Sequence, residues 1–296
     1  MGQEPVAFNG GGNFDGWREP GARLAWPNDV RAHASRQGAI GLGLALLFVL
    51  APARARAQGG PPLLTDDPDT PGPRYWEINV SGLLEKNRLE RRFETPRLDL
   101  NYGVGRRIQL KYEVPWVGVH PPGQPTRSGA GDSVAGVKWR FLGQEGKTLA
   151  WSVYPQLEFN TDHASVAKGL TDAGAQFLLP TEITLELAHV EINGEVGRNF
   201  AAPSERGWVY GVSTEAGVTR RLELVGELHG ERRGTEPTEL IVNVGGRQKL
   251  TRQIILMAAV GRAVRGAPDE RPRLLVFAGL QLNLPGYFSF EPPAAR

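Results

Sequence analysis

Residues 108–116 alternate without a break: Ile108, Leu110, Tyr112, Val114 and Trp116 interleave with Gln109, Lys111, Glu113 and Pro115. Successive side chains of a β-strand point to opposite faces, so such a segment has one apolar and one polar side. The pattern recurs over 149–160, where Leu149, Trp151, Val153, Pro155, Leu157 and Phe159 interleave with Ala150, Ser152, Tyr154, Gln156, Glu158 and Asn160. Twelve segments read this way: 75–85, 94–104, 107–117, 133–142, 148–159, 174–187, 189–198, 207–218, 222–231, 239–247, 253–263 and 273–284. Most have the length of a tilted membrane-spanning strand, about ten residues. Three are less regular. Segment 174–187 contains Pro180, which cannot donate to a ladder, and 239–247 and 253–263 contain apolar residues on both faces. Ten or fourteen strands therefore stay open as alternatives.

The connections also alternate. Short ones fall at 104–107, 142–147, 187–189, 218–221 and 247–252, and longer polar ones at 85–93, 118–132, 160–173, 199–206, 231–238 and 264–272. Short turns at one end and long loops at the other are expected of an outer-membrane barrel. A soluble sandwich also alternates, but its outer face is wet and its core apolar. Here the polar positions are dense in acids and amides, which suits a lumen, and closure removes the open edges that lipid would not tolerate. The expectation is an all-β chain with a single antiparallel transmembrane β-barrel of about twelve strands after a signal peptide. A soluble periplasmic β protein is the alternative. The 38 Gly and 23 Pro supply the turns, and a mean hydropathy of −0.31 argues against a bundle of apolar helices.

Residues 39–51 form an uncharged apolar run, too short to span a bilayer as a helix. Arg31 and Arg36 precede it, and Ala55-Arg56-Ala57 follows as a small-x-small cleavage site. The reading is an N-terminal extension and signal peptide over 1–57, an irregular Pro/Gly-rich leader over 58–73, a barrel over 74–284 and a C-terminal tail over 285–296. A buried core helix is the alternative for the apolar run. Residues 1–57 hold six arginines and four acids, so the basic excess of the chain (+2 overall) lies there. Without them the chain is balanced, and nucleic-acid binding loses its electrostatic support. There is no cysteine, which excludes disulfides and thiolate metal sites.

Several elements resemble the meta-pathway phenol-degradation outer-membrane family. The mature region opens with Thr65-Asp66-Asp67-Pro68 and a first strand at Tyr75, Trp76 and Glu77. PRLDLNYGVGRRIQLKYEVPW resembles the family's second hairpin. GAGDSVAGVKWRFL resembles its Gly-x-Gly-Asp strand start, with Gly129, Gly131 and Asp132 before Gly136, Lys138 and Arg140, and GLQLNL resembles its closing strand. The likeness spans roughly 64–284. It implies an outer-membrane barrel and a passage for small or aromatic compounds. One departure is the end: the last strand finishes at Leu284 and PGYFSFEPPAAR follows, where the family usually ends on an aromatic residue.

The candidate lumen-lining residues are Lys111, Glu113, Lys138, Arg140, Glu158, Glu191, Glu195 and Glu227, within a wider set that includes Glu77, Arg97, Asp99, Glu182, Glu186, Glu215, Glu223 and Arg247. An acidic excess in a water-filled pore favours cations. Paired across strands, the same charges fill a closed barrel instead. Thr65, Asp66 and Asp67 are candidates for a leader gate, with Lys111, Lys138 or Arg140 as partners, and a solvated linker with an Asp-Pro turn is the alternative. Trp and Tyr near segment ends (Trp76, Trp116, Trp139, Trp151, Trp208, Tyr75, Tyr287) fit interfacial girdles or an aromatic-binding slot. His120, His163 and His189 lack metal-ligand spacing. His229 lies near Ser213 and Glu227 if 207–218 and 222–231 pair, which raises a hydrolase without a supporting nucleophile motif.

The function expected is a channel or transporter for passive passage of small solutes, aromatic compounds among them, in the outer membrane of a Gram-negative bacterium. It is assigned no catalytic residue, metal or cofactor. The expected partners are outer-membrane lipid, the barrel assembly machinery and an unidentified solute, with no nucleic acid. A structural barrel with a filled lumen and an outer-membrane hydrolase are the alternatives.

Overall fold

A computed structural model describes residues 60–143, 148–188, 190–200 and 206–286. The expected signal peptide, His189 and Tyr287 lie outside the described residues. Fourteen strand segments form one antiparallel sheet: β1 (Tyr75–Lys86), β2 (Arg91–Val104), β3 (Ile108–His120), β4 (Arg127–Ala130), β5 (Asp132–Leu142), β6 (Leu149–Val153), β7 (Gln156–Asn160), β8 (Ala175–Leu187), β9 (Val190–Phe200), β10 (Gly207–Gly217), β11 (Leu222–Arg233), β12 (Glu239–Lys249), β13 (Ile254–Arg265) and β14 (Leu274–Pro285). The last strand returns to the first, with Tyr75 opposite Pro285 and Lys86 opposite Leu274. β4 and β5 both lie against β3, and β6 and β7 both lie between β5 and β8. Each of these two couples is one interrupted pass, and the result is a closed barrel of twelve antiparallel strands.

Proline and glycine account for the interruptions. Gly131 divides β4 from β5 and donates its N–H to the Pro115 carbonyl at 2.8 Å. Between β6 and β7, Pro155 has no N–H to give, and Tyr154 donates to the Pro180 carbonyl at 3.0 Å. Pro180 thus sits where its partner pass is broken, and β8 runs through it.

The alternation sorts into an inverted core. Asn243 is 2% exposed on the inner face and its neighbour Val244 is 51% exposed on the outer one. Leu110, Tyr112, Trp116, Leu228 and Leu256 also face outward, while Gln109, Glu113, Glu227 and Arg247 are buried inside. In water that arrangement would be unstable; in lipid each side chain meets a matching medium. Aromatic rings mark both ends of the apolar band. Trp76 packs on Tyr102, and Phe141 contacts Trp139 and Trp151, at the end where β1 begins and β14 finishes, the terminal end of the barrel. Phe177 packs on Phe200 at the other end, near Trp208.

β13 is apolar on both faces for a structural reason, whereas the inner face of β12 is mixed, with Ile241 beside Asn243 and Arg247. Ile255, Met257 and Ala259 point inward and cluster with Phe277 of β14 and Leu83 of β1. Ile241, Ala263 and Leu275 continue the patch. One arc of the lumen wall is therefore apolar within an otherwise polar interior.

The turns at the terminal end are tight (105–107, 218–221, 250–253), whereas 161–174 and 266–273 extend from the other end. The long loop expected at 85–93 shrinks to 87–90, because β1 and β2 continue and the Asn87 side chain accepts the N–H groups of Leu89 and Glu90. The 161–174 loop contains a short helix, α1 (His163–Ala167), capped by Asp162, a helix that period-two alternation does not signal. Leu170 after it packs on Val117 and Val119, so this loop folds into the barrel mouth.

Candidate functional site: the lumen and the leader inside it

Residues 60–73 carry no strand and turn into the barrel from the terminal end. Arg74 donates its N–H to the Gly103 carbonyl at 2.9 Å, so the leader crosses β2 at contact distance. A Cβ on Gly103 would overlap the Gly72 carbonyl, which makes this inward glycine the clearance for the crossing.

Deeper in, the leader meets charge at each step. Arg140 pairs with Asp69 at 2.5 Å and also donates to the Arg106 carbonyl at 2.8 Å. Lys138 Nζ lies 2.9 Å from Asp66 Oδ1 and 3.5 Å from Glu182, donates to the Asp67 carbonyl, and stands 4.6 Å from the Tyr154 ring centroid. Glu195 accepts the Asp66 N–H at 3.1 Å. Glu227 accepts the N–H groups of Leu64 at 2.9 Å and Thr65 at 2.8 Å, and is held by Asn243 at 2.6 Å. Thr65 is fully buried against Gly211, where a Cβ would overlap its side chain. The segment then folds back: Leu63 N donates to Gly60 O, and Arg247 donates to the carbonyls of Pro61 and Gly60, both at 2.9 Å. Arg247 is itself held by Glu215 and Glu223.

Burial raises the Asp66 carboxyl, but Lys138 and Lys111 outweigh it and leave its pKa below the ordinary value. For Asp67 burial dominates, with Lys138 opposing and the Asp66 charge adding, and its pKa ends above the ordinary value.

The sequence candidates take distinct places. Asp66 and Asp67 meet Lys138, not Arg140, whose partner is Asp69. Lys111 pairs with Asp99 at 3.3 Å and Glu113 at 2.9 Å, and Arg97 pairs with Glu113 at 2.5 Å, so these form a separate cluster on the wall. Glu191 faces Glu186 and Glu215 at the terminal end. Glu158 lines the opposite mouth. Ser213 faces Glu227 across the hairpin, as pairing of those segments required. However, among the described residues neither Ser213 Oγ nor His229 Nδ1 has a hydrogen-bond partner, and Glu227 is engaged by the leader. The described residues contain no grouping of His, Cys, Asp and Glu that could hold a metal ion. Arg247's grip on Gly60 and Pro61, and the clearances at Gly103 and Gly211, were not anticipated. Their signal is an inward glycine in a lumen otherwise lined by long side chains.

Space remains beside the leader tip and beyond it. A cavity of about 120 Å³ lies between Leu63 and Leu64 of the leader, the apolar arc at Leu83, Ala259, Leu275 and Phe277, and the polar wall at Arg97, Lys111 and Glu113. Toward the long-loop mouth, a vestibule of about 620 Å³ is lined by Glu85, Arg92, Glu94, Glu158, Asp172 and Arg233, among others.

The chain is similar to the crystal structure of an outer membrane channel from Pseudomonas putida F1, with a TM-score of 0.59 at 13% identity, covering 77% of this chain and 100% of that one. The fold is that of outer-membrane barrels. It is also similar to the NanC porin, with a TM-score of 0.52 at 8% identity, covering 70% of this chain and 100% of the porin. No protein-family model matches the sequence, and no curated protein does.

Proposed function

We propose that the chain is an outer-membrane channel of a Gram-negative bacterium that passes small solutes passively and is gated by its own leader. The observation that carries this reading is the contact of Lys138 with Asp66 and Asp67, which holds the leader inside the lumen, with a cavity beside its tip and the vestibule of the long-loop mouth beyond. A leader held by carboxylates and single cations can leave without unpairing any strand. Passage then needs no cofactor and runs down the solute gradient.

The solutes we assign are small and include aromatic compounds. The inner arc at Met257, Ala259, Leu275 and Phe277 offers apolar contact that a purely ionic lumen would lack. A cavity of about 150 Å³ holds one benzene ring, and the 120 Å³ space beside the leader is of that order. The opposing cluster of Arg97, Lys111 and Glu113 favours the other reading, a structural barrel with a filled lumen.

Bilayer conductance of residues 58–296 separates the two. A gated channel shows discrete openings that become longer and more frequent when Asp66 and Asp69 are both replaced by Asn. A barrel that inserts and stays silent in both forms is structural. Flux of phenol against flux of a sugar of similar size then tests the solute class.

A further inference from the structure

The outer face of the barrel carries a cationic row that the lumen does not use. On β9, β10 and β11, Arg198, Trp208 and Arg232 stand directly opposite one another across the strands. Arg198 lies over the Trp208 ring, its guanidinium carbon 4.9 Å from the centroid. Trp208 and Arg232 are exposed and Arg198 half-exposed. Alternation puts all three on the lipid side, near the long-loop end of the apolar band. Farther round, Arg262 is exposed on the same side of β13.

No carboxylate offsets them there. The outward positions of β9 to β13 hold no Asp or Glu. Among the described residues neither Arg198 nor Arg232 has a salt bridge, whereas Arg233, turned inward, pairs with Glu231 at 2.6 Å. Two guanidinium groups flank one indole at the depth where a Trp girdle meets headgroups. A planar guanidinium donates two parallel hydrogen bonds to a phosphate, and stacking on an aromatic face orients it for that. Among the described residues no carboxylate pairs with either arginine, which leaves both guanidinium groups able to take an anion from outside the barrel.

We propose that the Arg198–Trp208–Arg232 row is a binding site for the phosphate of a lipid in the leaflet at the long-loop end. The proposal rests on the barrel standing in a membrane and does not depend on whether the lumen conducts. The two arginines hold the phosphate, and the indole edge lies beside the first carbons of the acyl chains.

The test compares wild-type full-length barrel with Arg198→Gln/Arg232→Gln in phosphatidylcholine vesicles, using spin-labelled phosphatidic acid and spin-labelled phosphatidylcholine as probes. Juxtamembrane basic residues favour anionic lipid by about fivefold each. The wild type should therefore immobilise phosphatidic acid several-fold more than phosphatidylcholine, and the double variant should lose most of that preference. Arg198→Lys/Arg232→Lys, which keeps the charge without the planar fork, should retain part of it. Heat-modifiable migration on gels confirms that each variant is folded; if the glutamine form does not fold, the lysine form carries the comparison. An equal preference in wild type and folded variants overturns the site. Loss of the wild-type preference on adding millimolar inorganic phosphate also overturns it, because the row would then be a site for the free anion.

Discussion

Lys138 Nζ and the Asp66 carboxylate, 2.9 Å apart, join the wall of the barrel to a segment that belongs to none of its strands. The lysine is 2% exposed and the aspartate 27%, so the partner on the wall is the more desolvated. Removing one member of a buried pair costs about 3–5 kcal/mol, mostly from the charge left behind. Lys138→Met strands Glu182 and both leader aspartates, while Asp66→Asn leaves Lys138 with Glu182. The expected order of destabilisation is Lys138→Met well above Asp66→Asn. Urea unfolding of the reconstituted barrel measures it, and the reverse order would remove Lys138 from the centre of the contact.

Gly211 gives a test without charge. Gly211→Val fills the space that Thr65 occupies and should expel the leader tip while leaving the β9–β10–β11 ladder intact. The leader then becomes cleavable by added protease in vesicles, at least tenfold faster than in wild type. Adding Thr65→Gly to Gly211→Val should restore protection. Persistent protection in Gly211→Val alone would mean that the tip is not seated at this glycine.

The two leader aspartates set opposite limits on pH. The docked Asp66 titrates below the ordinary value of 3.8, so its contribution is complete above 3.8 and fades as pH falls through the depressed value. The docked Asp67 titrates above 3.8, so its contribution is full below 3.8 and is lost as pH rises through the raised value. The part of leader protection set by these two groups should therefore peak near pH 3.8, where the two windows meet. Asp67→Asn should flatten the alkaline limb and Asp66→Asn the acidic one. Identical profiles for all three proteins would count against this assignment.

On the outer surface, Val244→Arg puts a cation on the lipid face at mid-strand. Such substitutions cost about 2–4 kcal/mol at the bilayer midplane. The neighbouring Asn243 faces inward, and Asn243→Gln should cost far less. Equilibrium folding into lipid measures both, and a tolerated arginine would place Val244 outside the hydrocarbon.

The barrel was legible because its chemistry is local. Ile108 to Trp116 alternate whatever surrounds them, and a chain of such segments has few ways to satisfy its backbone in lipid. Segment 253–263 was harder to read, since inward Met257 and Ala259 erase the contrast on which alternation depends. The docked leader was less legible still. Glu227 binds the backbone N–H groups of Leu64 and Thr65, which every residue but proline possesses, so no side chain in the leader encodes the contact. Nor does any local pattern bring Arg247 to Gly60, residues that meet only once the sheet has closed.

The crossing at Gly103 fixes one more property. Because Arg74 is pinned there and leads straight into β1, a leader that lets go of Lys138 stays tethered at the mouth. Its return is a unimolecular search by a short chain, with an effective concentration on the millimolar scale. Closing would then proceed at a rate set by the length of that tether, the same whether the membrane holds one barrel or thousands.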